Sequence, residues 1–304
     1  MEKDFLAITD LTTEEIHEIF RLAQDLKRNQ KRGKRYQPLK GKTLAMIFQK
    51  PSARTRVSFE VGMFQLGGSA IYLAPTDIGL GKRESVADIA RVFSRYNDGI
   101  MARLFGHDLI VELAKYASIP VINGLTDLLH PCQVMGDVLT ILEHRGHLDN
   151  LKVAFVGDGN NVANSWINMA ARIPMRLHLA VPEGYDPDEK ILAHARNAGM
   201  SEIVIHRDPV EAVKESDVIY TDVWASMGQE KEAAKRKKIF KSYQVNKELV
   251  AKAKPDVKVM HCLPAHRGDE ITDDVIDGPH SIVFDEAENR LHIQKAIMVT
   301  LMQN

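Results

Sequence analysis

Short apolar runs that end in donor-rich residues constrain this chain more than any other feature. Thr43-Leu-Ala-Met-Ile-Phe48 is followed by Gln49-Lys50-Pro51-Ser52-Ala53-Arg54-Thr55-Arg56, then by a helical stretch, Val57–Leu66. Six residues is strand length, and a run this apolar reads as a strand buried on both faces. Ser69–Ala74, Gly99–Arg103, Ile119–Gly124, Val153–Gly157, Leu177–Val181, Glu202–His206, Val218–Trp224, Val257–Pro264 and Ser281–Phe284 repeat the pattern, most with helical segments between. Strand and helix in alternation predict parallel sheets, an α/β fold. In such sheets ligands lie beyond the carboxyl ends of the strands. The residues just after each run are therefore the candidates for chemistry.

A chain of 304 residues is long for one core, so two domains are expected. The α/β pattern pauses at Gly146–Asn150, and the boundary is set there. This gives 1–147, 148–285 and a C-terminal helix, 286–304, expected to pack back on the first domain. Forty basic against 41 acidic residues leave a net charge of −1, which argues against nucleic acid or a membrane surface as partner. Two cysteines, Cys132 and Cys262, make no disulfide framework and fit a reducing cytoplasm. No metal site is expected, because there is no C-x-x-C pair. No signal peptide is read at Met1–Leu6, and no apolar run of membrane length is present.

Local signals fill in the rest. Thr12 or Thr13 caps a first helix whose stripe is Ile16, Ile19, Phe20, Ala23 and Leu26. Lys27–Arg35 is a basic run, read as a solvated helix end. Pro75–Ser85 is a Gly- and charge-rich loop, either a lid, an oligomer contact or plain surface.

The turn after Phe48 carries Ser, Thr and two Arg at a helix start. Helix N–H groups, hydroxyls and guanidinium forks together make an anion cradle. Arg103 ends another apolar run, and His130-Pro131-Cys132-Gln133 opens a helix after a third. Six polar groups, Ser52, Arg54, Thr55, Arg103, His130 and Gln133, thus follow strands of the first half. In the second half Asp222 ends one strand, and His261-Cys262-Leu263-Pro264 ends another. Gly157-Asp-Gly159 invites a dinucleotide reading, but the third glycine position holds Val162. Asn161 and Asn164 read as partners for something small and polar.

Together these motifs resemble the ornithine branch of the aspartate/ornithine carbamoyltransferase family, over the whole chain. Ser52–Arg56 is similar to the family's carbamoyl-phosphate signature, and His130–Gln133 to its second element. Asp222-Val-Trp-Ala-Ser226-Met227-Gly228 is similar to the branch's mobile substrate loop, and His261–Pro264 to its catalytic cysteine turn. The resemblance implies two doubly wound parallel-sheet domains with the active site in the interdomain cleft. It implies carbamoyl transfer from carbamoyl phosphate to the δ-amine of L-ornithine, giving citrulline, in arginine metabolism. Ser52, Ala53, Arg54 and Thr55 would hold the phosphate. Arg103, His130, Gln133 and Arg290 would hold the carbamoyl group. Asn161, Asp222, Ser226 and Met227 would hold the ends of ornithine, with Cys262 and the Leu263 carbonyl near the reacting amine. Arg54, Arg103, His130, Asp222 and Cys262 form the catalytic set. No cofactor is implied, and the assembly implied is a homotrimer or a multiple of it. Closure of the Ser226–Gly228 loop after carbamoyl phosphate binds would give ordered addition. Many relatives offer a Gln or His to a neighbouring subunit from the loop after the second strand; Gly79 stands there, with Lys82 or Arg83 as substitutes. Another amine acceptor such as putrescine, or a dinucleotide-dependent oxidoreductase, are the alternatives. The proton of the amine goes either to Cys262 with Asp222 or to the phosphate; the sequence leaves both open.

Overall fold

Burial of both faces is what these runs demand, and parallel pairing supplies it. The computed structural model describes residues 3–81, 83–225 and 232–303. The strands are β1 (Thr43–Phe48), β2 (Ser69–Leu73), β3 (Gly99–Arg103), β4 (Val121–Leu125), β5 (Lys152–Val156), β6 (Arg176–Ala180), β7 (Glu202–His206), β8 (Val218–Thr221) and β9 (Lys258–His261). One sheet runs β2-β1-β3-β4 and the other β7-β6-β5-β8-β9, with every named pair parallel. Both orders reverse direction beside the first strand of the sheet, which is where doubly wound folds open a crevice at the strand ends.

The chain parts into two compact units. The first is Met1–Leu139 with Glu288–Asn304, and the second is Thr140–Ala287. The division falls inside two helices, Pro131–Arg145 and Val283–Met302, rather than at the glycine-marked loop 146–150. Loop composition marks where a helix stops, not where packing changes partner.

In the first unit β3 and β4 are buried at every position, and Ile47, Ile89, Ile100, Ile110, Leu113 and Val121 pack in one core. The first helix, Thr13–Lys31, carries the expected capping box: Thr12 Oγ1 accepts from Glu15 N–H, and Glu15 accepts from Thr12 N–H at 2.9 Å. Such a cap contributes about 1 kcal/mol. In the second unit Phe155 stacks on Tyr220, which meets Trp166 edge to face. A further core gathers Trp224, Phe240, Tyr243 and Val259.

Two expectations change. Ser281–Phe284 is not a strand: Ser281 makes a single bridge to Val259, and the chain turns into a helix at Val283, with Asp285 and Glu286 in its first turn. Acidic residues favour that helix start, and the apolar run concealed it. The helix after β1 begins at Ala53 rather than Val57, so Ser52 is its N-cap.

Candidate functional site

In the first unit three neighbouring strands deliver their ends together. Phe48 of β1 pairs with Arg103 of β3, and Arg103 pairs with Leu125 of β4. The turns that follow carry Ser52, Arg103 itself and His130. Ser52 Oγ accepts from Thr55 N–H at 3.3 Å and donates to Thr55 Oγ1 at 3.1 Å. Ala53 and Arg54 are exposed in the first helical turn, and Thr55 is buried. This early helix start puts Arg54 and Thr55 on the donor end of the helix dipole, where an anion is favoured. Arg56 points elsewhere: it pairs with Glu60 at 3.0 Å and lies 4.0 Å from the Tyr72 ring centroid.

Arg103, His130, Gln133 and Arg290 are all buried. Burial holds the His130 imidazole well below the ordinary histidine range, and the charges of Arg290 and Arg103 push it further down. A neutral ring between two guanidiniums results. Arg290 donates to Gln133 Oε1, and Gln133 Nε2 donates to Asp137 at 2.7 Å. With the Gln294 amide turned to match donors to acceptors, its oxygen accepts from Arg290 Nη2 at 3.0 Å. Arg290 is thus fixed by amide oxygens rather than by a carboxylate, which preserves its positive field for a ligand. Cys132, beside His130, takes no part: burial pushes its thiol up to about 12, and it donates to Asn123 O.

The second unit builds a site of its own, with an anion at its centre. Asp222 follows β8 and is buried. Its Oδ2 accepts from Asn160 Nδ2 at 2.8 Å. Its Oδ1 accepts from Val223 N–H at 2.8 Å and from Cys262 Sγ at 3.0 Å. Asn160, not among the candidate site residues, also caps the helix Asn161–Ala170 by accepting from Val162 and Ala163 N–H. Asn161 opens that helix. Asn164 is turned inward to structure, its oxygen accepting from Asp188 N–H at 2.9 Å. Leu263 takes a left-handed φ of 55°, which costs of order 1 kcal/mol and recurs where a backbone group must be aimed. Ser226, Met227, Gly228 and Lys82 lie outside the described residues.

A relay stands behind the cysteine turn. His261 Nδ1 accepts from Leu263 N–H at 2.8 Å, so Nε2 carries the proton and donates to Glu270 at 3.0 Å. Glu270 also accepts from His266 N–H, and Glu286 accepts from His261 N–H at 2.9 Å. Asp222, His261 and Cys262 bring ligand atoms within 4.8 Å of one another. Both His261 nitrogens are already committed, so the imidazole has no lone pair to give a metal ion. Arg236 forms a buried pair with Asp158 at 2.7 Å and donates to the Trp224 carbonyl at 2.9 Å. Burial raises Asp158 to about 6, against the pull of Arg236. The sequence signal for Asp158 was its place directly after a strand; Glu270 and Arg236 carried none.

Two glycines decide open questions. A Cβ on Gly159 would lie 2.4 Å from Asp186 and Pro187 backbone atoms, and Gly159 N–H donates to Tyr185 O at 2.9 Å. The face of that turn where a pyrophosphate would approach is filled by the chain's own backbone, against the dinucleotide reading. Gly79 has φ 53° and ends a short helix, Pro75–Ile78, with Arg83 Cβ 2.8 Å from where its own Cβ would be. A Gln or His there would be strained and would clash.

Residues 3–143 match the carbamoyl-P binding domain of aspartate/ornithine carbamoyltransferase, and residues 149–301 match its Asp/Orn binding domain. An ornithine carbamoyltransferase of Syntrophus aciditrophicus is 57% identical over 302 residues, covering 99% of this chain and 100% of that one. One from Thermococcus kodakarensis is also 57% identical, covering 99% of this chain and 96% of its own. The solved structure of ornithine carbamoyltransferase from Pyrococcus furiosus superposes with a TM-score of 0.94 at 55% identity, covering 98% of this chain and 96% of that one.

Proposed function

The chain belongs to the aspartate/ornithine carbamoyltransferase family, and on that premise we propose that it transfers the carbamoyl group of carbamoyl phosphate to the δ-amine of L-ornithine. The products are citrulline and phosphate. Relatives 53–57% identical over nearly the whole chain carry the ornithine name, which favours ornithine over putrescine.

The chemistry follows from the residues. The amine lone pair attacks the carbonyl carbon, the carbon–oxygen bond to phosphate breaks, and one proton leaves the nitrogen. Negative charge grows on the carbonyl oxygen and on the departing phosphate. Ser52, Arg54, Thr55 and the N–H groups of their turn receive the phosphate. Arg103 and Arg290 address the carbonyl oxygen, and the neutral His130 exchanges hydrogen bonds with the carbamoyl group without adding a third charge. Gln133 orients Arg290. Removing one preorganised donor of this kind costs about 2.7–4 kcal/mol of barrier.

Asp222 supplies the anionic partner for the ammonium end of ornithine, joined by Asn161 and the Ser226–Met227 segment. The single observation that carries the acceptor side is the Cys262 thiol donating to the Asp222 carboxylate at 3.0 Å. That bond fixes the thiol beside an ionised carboxylate, so Cys262 and Asp222 together place the attacking amine, and its proton goes to the departing phosphate. Glu270 and His261 position the turn.

The assembly is a homotrimer or a multiple of it. Val57 and Val61 face outward from one side of the helix Ala53–Gln65, beside exposed Ile71 of the edge strand β2. Such a face is unusual on a monomer. Sedimentation of the purified chain at a monomer's mass would exclude it. Two free thiols fit a reducing, cytoplasmic setting, and no helix among the described residues is long and apolar enough to cross a membrane.

A citrulline assay with ornithine, putrescine, lysine and acetylornithine as acceptors tests the reading. Product from ornithine alone is expected. No citrulline from ornithine sinks it.

A further inference from the structure

The basic run Lys27–Arg35 has no part in the chemistry above, yet it borders a built cavity in the first unit. A cavity of about 360 Å³ opens beside the end of helix Thr13–Lys31, the end of helix Ala53–Gln65 and Lys295 of helix Val283–Met302. Three cations line it, Lys34, Arg35 and Lys295, and no carboxylate does.

Lys295 is the informative one. It is buried, and its ammonium donates to Gln30 Oε1 at 2.6 Å and Gln65 Oε1 at 2.8 Å. Both glutamines line the cavity. A buried ammonium normally meets a carboxylate, because desolvation is otherwise uncompensated. Here two amide oxygens hold it and no anion neutralises it. Burial lowers its pKa to about 8, so it stays charged at neutral pH. Its stem is wedged against Gly62, where an added Cβ would lie 3.3 Å from Lys295 Cγ. The head is therefore held in place rather than sweeping solvent. Glu288, the acid on the same helix, is taken by Lys27 at 3.8 Å and Lys31 at 3.2 Å. Tyr36 and Phe64 add exposed aromatic surface at the rim.

We propose that this cavity is a second anion site, taking a small phosphate monoester with its phosphate on Lys295, Lys34 and Arg35 and its organic part on Tyr36 and Phe64. Three cationic side chains line this one cavity, with no acidic group among its lining residues. The volume exceeds what a bare phosphate fills, which leaves room for an organic substituent. Free phosphate and an ester share the charged head, so binding of each separates them.

The test is calorimetric titration of the full chain carrying Arg54→Ala, which disables the donor cradle. Inorganic phosphate should still bind at one site, and phenyl phosphate should bind more tightly. Adding Lys295→Gln should weaken both by about tenfold or more. Lys34→Ala with Arg35→Ala, both on the surface, should do the same and decides the matter if Lys295→Gln fails to fold. In the otherwise unaltered chain the Lys34/Arg35 pair should leave citrulline formation intact, which separates this site from the reaction. Loss of all phosphate binding with Arg54→Ala alone, or binding indifferent to the surface pair, overturns the proposal. Phosphate binding without any gain for the phenyl ester overturns its organic half.

Discussion

The strand ends of the two units hold opposite kinds of group. In the first unit Arg103 and Arg290 flank a neutral His130, and amide oxygens rather than carboxylates fix Arg290. In the second, Asp222 accepts three hydrogen bonds, from Asn160, Val223 and Cys262. Both solve the same problem, which is to keep a charge buried and still available. The first spends neutral acceptors on cations; the second spends neutral donors on an anion. One architecture, a parallel sheet with polar turns at its carboxyl edge, thus makes an anion receptor and an amine receptor by side-chain choice alone.

The largest effect should come from the cationic side. Arg103→Ala removes a donor aimed at developing charge, so kcat should fall about 10²- to 10³-fold. Steady-state citrulline formation at saturating ornithine checks it. An unchanged kcat would mean that the first unit only binds. Next comes the anionic side. Asp222→Asn keeps the shape and removes the charge, and should raise the ornithine KM by about 10- to 100-fold, the worth of a hydrogen bond to a charged group. Carbamoyl-phosphate binding, read by calorimetry, should not change. A loss there would erase the division of labour.

How much of this the sequence carried depends on distance along the chain. Ser52, Thr55 and Arg103 were legible because each follows an apolar run, a local signal. Asp222 and Cys262 were legible for the same reason, although their partnership spans 40 residues. Asn160 was passed over for its neighbour Asn161, since a cap and a ligand look alike in a turn with two asparagines. Asp158 and Arg236 lie 78 residues apart, and nothing local announces that a basic residue in a charged helix turns inward. Glu270 sits in a polar loop, where burial cannot be read at all. The β strands were found within a few residues, because apolar runs of that length have few alternatives. The boundary at 147 lies between the two matched domains, residues 3–143 and 149–301, whereas packing divides the chain inside two helices, because a helix can run from one core into another without any change in composition.

A smaller effect separates the units by acid. His130, His107 and His292 all have pKa values lowered by burial, His292 to about 4. A histidine that stays neutral when folded but protonates when unfolded gives stability above about pH 6.5 that is lost as pH falls below it. In the second unit His178, at about 4, and His206 push the same way. Asp158 opposes them: raised to about 6, it binds a proton in the folded state first, so its ionisation cost disappears as pH falls through 6. Between pH 6.5 and 5.5 each buried neutral histidine costs at most about 1.4 kcal/mol. Hydrogen exchange, corrected for intrinsic rates, should show β3 and β4 losing more protection than β5 and β8. Equal losses would assign no balancing role to Asp158.

The two cysteines give the smallest and cleanest contrast. Cys132 is fully buried, donates to the Asn123 carbonyl, and has its thiol pushed up to about 12 by burial. Cys262 is half-buried and faces the Asp222 carboxylate. A thiol that high in pKa is a small core residue and not a nucleophile. Cys132→Ala should cost about 1 kcal/mol of stability through lost packing, and leave kcat and both KM values within error. Cys262→Ala should leave stability nearly unchanged and lower kcat/KM for ornithine. Denaturant midpoints and steady-state kinetics on the two variants check both halves. If Cys132→Ala slows turnover instead, the helix Pro131–Arg145 transmits its packing to His130 and Gln133, and the cationic cluster is less rigid than its buried contacts imply.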